Sequence, residues 1–147
     1  MAWDALPLYN CGVRNAAAGK QWTTAGLFLD ALTRRDFPSL AACLDPRIRF
    51  RALVPRGPFE LTDARATAAW FREVFGDKEI FEVQDAAIGQ IGGRAYLRWR
   101  VRTGDTEVVE QHVFATGADR IASLDLMCSG FQDVGGCAVT TKGGRDA

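Results

Sequence analysis

His112 is the only histidine in the chain, and it stands two positions from Glu110 in the segment Glu107-Val108-Val109-Glu110-Gln111-His112-Val113-Phe114. On a strand, residues two apart point to the same face, so the two side chains are neighbours. A carboxylate beside an imidazole can hold the ring in one tautomer, and in an apolar setting burial raises the carboxyl pKa. That is the equipment of proton transfer. A third ionisable group, Asp125, interrupts the apolar run Ile121-Ala122-Ser123-Leu124-Asp125-Leu126. Cys128, just beyond, lacks a second histidine to activate it as a nucleophile. The plain alternative is that Glu110 and His112 form a satisfied structural pair with no chemistry.

What surrounds the pair depends on how residues 94–102 fold back on 107–116. A two-residue turn at Gly104-Asp105, with Gly in the first position, suits type II′. It predicts Trp99 opposite Glu110, Leu97 opposite His112 and Ala95 opposite Phe114. One face would then hold Leu97, Trp99, Glu110, His112 and Phe114, an acid/base pair in an apolar wall. Tyr96, Arg98, Arg100 and Arg102 would lie on the other face. A slip of one residue exchanges the faces. A four-residue loop before the next strand puts Asp125 opposite Glu110, whereas a three-residue loop puts it beside Gln111.

The elements that must position these residues can be read along the chain. Residues 1–22 show no sustained period and are expected to form an irregular arm packed through Trp3 and Trp22. From Thr24, a predicted N-cap, Leu27, Phe28, Ala31 and Leu32 recur at helical spacing. Asp36-Phe37-Pro38-Ser39 stops that helix, and Leu40 to Leu44 make a second, ended by Asp45-Pro46. Residues 47–54 alternate as a strand, and Pro55 to Pro58 turn the chain. A third helix opens at Thr62-Asp63-Ala64-Arg65, places Ala66, Ala69, Trp70 and Val74 on one face, and closes at Gly76. Residues 79–91, 94–102, 107–116 and 120–130 then read as four consecutive strands. The order is α+β, with helices on one face of a mostly antiparallel sheet. The domain spans 23–132, and 133–147 is expected to be a loose tail.

Composition removes several functions. Eighteen basic residues balance eighteen acidic ones, so no net field draws in nucleic acid or anionic lipid. No apolar run approaches membrane-spanning length, and the opening residues lack a signal-peptide pattern, which predicts an intracellular, cytoplasmic protein. The four cysteines form no Cys-x-x-Cys pair, so no metal site is expected, and no phosphate- or dinucleotide-binding loop marks a cofactor.

Several dispersed positions resemble the nuclear-transport-factor-2-like superfamily, and within it the SnoaL-like polyketide cyclases. They are Arg34-Arg35-Asp36-Phe37 at the end of the helical hairpin, Asp45-Pro46-Arg47-Ile48 entering the first strand, Trp70-Phe71 on the third helix, and Arg120-Ile121 entering the last strand. The resemblance covers residues 23–132. It implies a conical α+β barrel, its curved sheet and helices enclosing an apolar pocket, commonly as a homodimer. It also implies an acid/base pair of Asp125 on the last strand and His112 on the strand before. The first helix has no Tyr or Asp matching the ketosteroid isomerases, and Arg98-Trp99-Arg100 lacks the Arg-x-Asp arrangement of the epoxide hydrolases.

The expected function is a small isomerase or cyclase without a cofactor, acting on a lipophilic, polyketide- or steroid-like metabolite. His112 would be the base or proton shuttle, Asp125 a general acid/base and Glu110 their orienter, within walls of Phe50, Trp70, Leu97, Trp99 and Phe114. The rival is a non-catalytic ligand-binding or dimerisation module whose interior is filled by side chains. The two differ in whether a ligand-sized cavity opens to solvent. A third class, a protein-interaction module, predicts an apolar patch outside the cone.

Overall fold

The structure is a computed structural model that describes residues 11–135, with side chains from Gly19 onward. Helix α1 runs Cys11–Thr33, α2 Phe37–Ala42 and α3 Ala64–Phe75. The strands are β1 Leu44–Val54, β2 Gly57–Leu61, β3 Glu82–Ile91, β4 Arg94–Arg102, β5 Glu107–Thr116, β6 Ile121–Cys128 and the short β7 Gln132–Asp133. The α+β class and the helices-on-sheet arrangement are as the sequence predicts.

The expected irregular arm is corrected over its second half, because residues 11–22 belong to α1. The run Asn15-Ala16-Ala17-Ala18 lacks an apolar stripe but consists mainly of alanine, the strongest helix former, and no proline interrupts it. Thr24 therefore sits inside the helix and its hydroxyl donates to the Ala118 carbonyl. Trp22 is exposed, and Trp3 and residues 136–147 lie outside the described residues. The caps of the other helices follow the sequence: Asp36 accepts from the Ser39 N–H at 3.1 Å, and Asp63 from the Ala66 N–H at 2.7 Å. Helix α3 buries Thr67, Ala68, Phe71 and Phe75, a face rotated from the one expected.

The strands form one curved mixed sheet in the order β2-β1-β6-β5-β4-β3, with β7 paired to β5. Among the described strands, only β1 and β6 pair in parallel. The sheet does not close into a barrel. Strand β2 replaces part of the predicted turn: Gly57, at φ 125°, lets the chain reverse and pair Gly57–Leu61 against Phe50–Val54.

The helix-facing side of the sheet holds the core. Phe28 and Phe71 meet edge to face at 5.6 Å between ring centroids, and both lie against Trp99, at 6.1 and 6.4 Å. Phe50 contacts Trp70 at 5.3 Å. Phe50, Leu97 and Trp99 are all fully buried. Close aromatic packing thus occupies the space where the sequence reading puts an apolar pocket.

Candidate functional site

The β4–β5 hairpin decides which face carries the chemistry. The Thr103 N–H donates to the Glu107 carbonyl at 2.8 Å, and the Thr103 hydroxyl donates to the Glu107 carboxylate at 2.9 Å. The turn therefore contains three residues, Gly104, Asp105 and Thr106, instead of two. Trp99 lies opposite Gln111, Leu97 opposite Val113, Arg98 opposite His112, Arg100 opposite Glu110 and Tyr96 opposite Phe114. The predicted register is thus corrected by one residue, and the two faces exchange partners.

Burial explains why this register prevails. It brings one neutral polar side chain, Gln111, into the core, where its carbonyl oxygen accepts from the Trp99 indole N–H at 2.7 Å. Its amide nitrogen then donates to the Cys128 sulfur at 3.3 Å. The predicted register would have buried a carboxylate and an imidazole in the same place, at far greater cost.

Glu110, His112, Phe114 and Asp125 consequently share the face turned away from the helices. Asp125 is opposite Phe114, and Met127 is opposite His112, which puts Asp125 on the histidine's side of the sheet and not beside Gln111. Leu97, Trp99 and Phe50 are separated from His112 by the sheet itself. Trp70 packs on Phe50 and Phe71 on the helix side.

Two adjoining grooves cross the outer face. One, of about 630 Å³, is bordered by Arg51, Leu53, Arg94, His112, Phe114, Asp125 and Met127. The other, of about 560 Å³, continues past Arg100, Glu110 and Ser129 and shares Leu53, His112 and Met127 with the first. His112 stands where they meet, its side chain 37% exposed.

Around it runs a chain of short hydrogen bonds. His112 Nε2 lies 2.7 Å from Glu110 Oε2, and His112 Nδ1 lies 2.7 Å from the Tyr96 hydroxyl. The Arg100 guanidinium donates to Glu110 Oε1 at 3.1 Å and to Gln84 Oε1 at 3.2 Å. The His112 hydrogen bond, with that of Arg100 beside it, holds the Glu110 carboxyl below its ordinary value, against the opposing effect of burial. The expected upward shift is corrected, because the outer face supplies partners that an apolar wall does not.

Asp125 belongs to a second cluster. Its Oδ1 accepts from Arg51 Nε at 2.7 Å, and its Oδ2 lies 3.8 Å from Arg94 Nη1. This carboxylate gathers two guanidinium groups at one end of the groove, an arrangement suited to anchoring cations. Among the described residues, no three His, Cys, Asp or Glu side chains cluster as metal ligands, and no helix is long and apolar enough to cross a membrane.

The sequence reading missed Tyr96, Arg100, Arg51, Arg94 and Met127. The available signal was parity: Tyr96 and Arg100 alternate in step on β4, so a three-residue turn would have set them beside His112 and Glu110.

A family model of the SnoaL-like domain matches residues 26–123, about two thirds of the chain. Among solved structures, the fold is similar to that of a candidate ketosteroid isomerase from Kribbella flavida, with a TM-score of 0.61 and 18% identity over 75% of this chain and 78% of that one. It is also similar to an LEH-like epoxide hydrolase from M. tuberculosis, with a TM-score of 0.54 and 21% identity over 76% of this chain and 84% of that one. An NTF-2 like protein of unknown function from Burkholderia xenovorans aligns with a TM-score of 0.61 and 12% identity over 77% of this chain and 85% of that one. At these identities the likeness is one of fold. Among curated proteins, none matches the sequence.

Proposed function

The chain belongs to the SnoaL-like domain family of the nuclear-transport-factor-2-like superfamily, and on that premise we propose that it is an isomerase- or cyclase-type enzyme. Its substrate is a lipophilic, carbonyl-bearing metabolite of polyketide or steroid type, bound along the outer groove. The observation that carries this reading is the unbroken hydrogen-bond chain from Tyr96 through His112 to Glu110, set where the two grooves meet.

Leu53, Phe114 and Met127 offer an apolar bed, and proton transfer is the chemistry the ionisable groups suit. The Glu110 carboxylate fixes the imidazole and offsets the charge it acquires on taking a proton. Arg51 and Arg94, gathered by Asp125, supply positive charge for an oxygen that becomes negative as a neighbouring carbon loses its proton. In this reading Asp125 positions cations instead of acting as a general acid.

The test is exchange of the α-protons of 2-tetralone in D₂O, followed by proton NMR. The protein is expected to accelerate exchange, and His112→Ala to slow it by about 10²- to 10⁴-fold. Exchange no faster than in buffer, with the His112 ring resonances indifferent to the ketone, rules the reading out.

A second reading has its own support. Leu53 is 49% exposed and Met127 59% exposed on this same face, while the aromatic core fills the helix side. A second copy laid face to face would cover both side chains, making the domain a homodimeric module in which Glu110 and His112 are a structural pair.

A further inference from the structure

The two outer grooves share Leu53, His112 and Met127, so these side chains form the ridge between them. The ridge stands at the middle of the sheet: Met127 is the register partner of His112, with β1 and β2 beyond β6 on one side and β4 and β3 beyond β5 on the other. A ridge flanked by grooves is self-complementary, because a half-turn about an axis beside it lets the ridge of each copy enter a groove of the other. The face is also large enough. Strands β1, β6, β5, β4 and β3 each have eight residues or more, which at about 4.8 Å between strands and about 3.3 Å per residue gives a footprint of about 600 Å² before side-chain relief. A specific interface buries about 800 Å² per partner.

The charges on this face suit a second copy. Arg51 and Arg94 meet Asp125 at 2.7 and 3.8 Å, Arg98 meets Asp85 at 2.9 Å, and Arg100 meets Glu110 at 3.1 Å. Glu60, at the far border of the wider groove, is paired with Arg49 at 3.0 Å, and the Cys128 sulfur beside the other groove accepts from Gln111. Because each of these guanidiniums has a carboxylate of its own chain, two such faces can meet without burying an unpaired cation. Tyr96, Phe114, Met127 and arginine are the residue types that interface cores favour.

His112 makes that meeting conditional. A neutral imidazole has one N–H and one lone pair. The ionised Glu110 carboxylate can only accept, so Nε2 carries the hydrogen, and the Tyr96 hydroxyl donates to the Nδ1 lone pair at 2.7 Å. The neutral chain Tyr96–His112–Glu110 is thus satisfied without water. A proton added at Nδ1 removes the acceptor of the Tyr96 hydroxyl, whose hydrogen then needs a new partner. It also adds a positive charge beside Glu110, which already serves Arg100. In a separate chain water meets both demands, since the His112 side chain is 37% exposed. Under a second copy water is excluded, and the ridge carries the imidazolium into a groove bordered by arginine.

We infer that the outer sheet face pairs two copies of this chain, ridge into groove, and that protonation of His112 releases them. The inference rests on the homodimer reading of this face. Histidine changes charge between about pH 5 and 8, so the switch falls in that range. Glu110, held below its ordinary value, keeps its charge throughout it. Protonation favours the separate chains, so the pair is tight at the upper end of the range and weakens as pH falls.

The experiment is sedimentation equilibrium of the full chain between about pH 8 and 5, for wild type, His112→Gln and Met127→Glu. Wild type is expected to be dimeric at the upper end, with a Kd that rises on acidification by up to about 10²-fold per pH unit, the limit for two protons per dimer. His112→Gln, neutral at every pH, should remain dimeric with a Kd that varies by less than about 10-fold over the range. A wild-type Kd indifferent to pH overturns the inference and leaves the homodimer. So does a His112→Gln dimer that dissociates on acidification as wild type does. Dissociation accompanied by loss of the far-UV circular dichroism signal is acid unfolding, and overturns it likewise. A wild type that is monomeric throughout, or a dimer that Met127→Glu leaves intact, removes the homodimer reading of this face and the inference with it.

Discussion

Glu110 links stability to pH through the partners that lower its pKa. A carboxyl whose folded pKa lies below its unfolded value of about 4.5 stabilises the native state fully above that value, and loses the contribution as pH falls through the folded pKa. Glu110→Gln should therefore have a lower urea midpoint than wild type at neutral pH, and the gap should narrow progressively as the pH falls below about 4.5. A gap independent of pH would mean that the His112 and Arg100 contacts do not bind the ionised form preferentially. Position 110 also shows how far single residues can be read. That Glu110 and His112 share a face follows from their two-residue spacing, and the sequence reading has it. Which face they share turns on whether Thr106 belongs to the loop or to the strand, a difference of one residue in a short connection. Hydrophobic alternation cannot resolve this, because β5 carries valines at 108, 109 and 113 and so offers an apolar residue to either side.

Among the elements, the joint between α1 and α2 depends on Arg35, the one non-glycine described residue at positive φ, 53°. Its guanidinium donates to the Phe75 carbonyl at 3.2 Å and the Lys78 carbonyl at 2.7 Å, and lies over the Phe81 ring. It thereby ties the helical hairpin to the end of α3. Arg35→Ala should cost about 2–3 kcal/mol in denaturant unfolding, through lost charged hydrogen bonds at a strained backbone position. Arg35→Gly should cost about 1 kcal/mol less than Arg35→Ala, because glycine removes the strain while losing the same contacts. Equal losses would show that the backbone conformation carries no cost. Helix α3 was legible at both ends, Asp63 and Gly76, because caps are local chemistry. Its buried face was not, since the alanines at 64, 66, 68 and 69 suit packing and exposure alike, and tertiary contacts choose between them. Strand β2 was hidden behind Pro55 and Pro58, which read as a turn although Pro58 sits within an edge strand that tolerates it.

For the whole molecule, the outer sheet face decides between the enzyme and the homodimer, since both readings claim it. Light scattering of wild type and Met127→Glu separates them. A face-to-face dimer should dissociate into monomers when a carboxylate replaces an apolar side chain at its centre, whereas an open catalytic groove should leave the particle mass unchanged. The fold at this scale was legible from element order alone, because helices followed by a meander have few ways to bury their apolar faces. The parallel pairing of β1 with β6 was not, since nothing local in Arg47-Ile48-Arg49-Phe50 names a partner so distant. That pairing joins Arg51 to Asp125 across 74 positions and places the first long strand beside the last. During synthesis, β1 leaves the ribosome long before β6 exists, so Phe50 and Ala52 have no permanent neighbour on that edge until β6 has emerged. The nascent chain must keep this edge unpaired until β6 is synthesised, and truncated products ending before β6 are expected to be the species that engage chaperones.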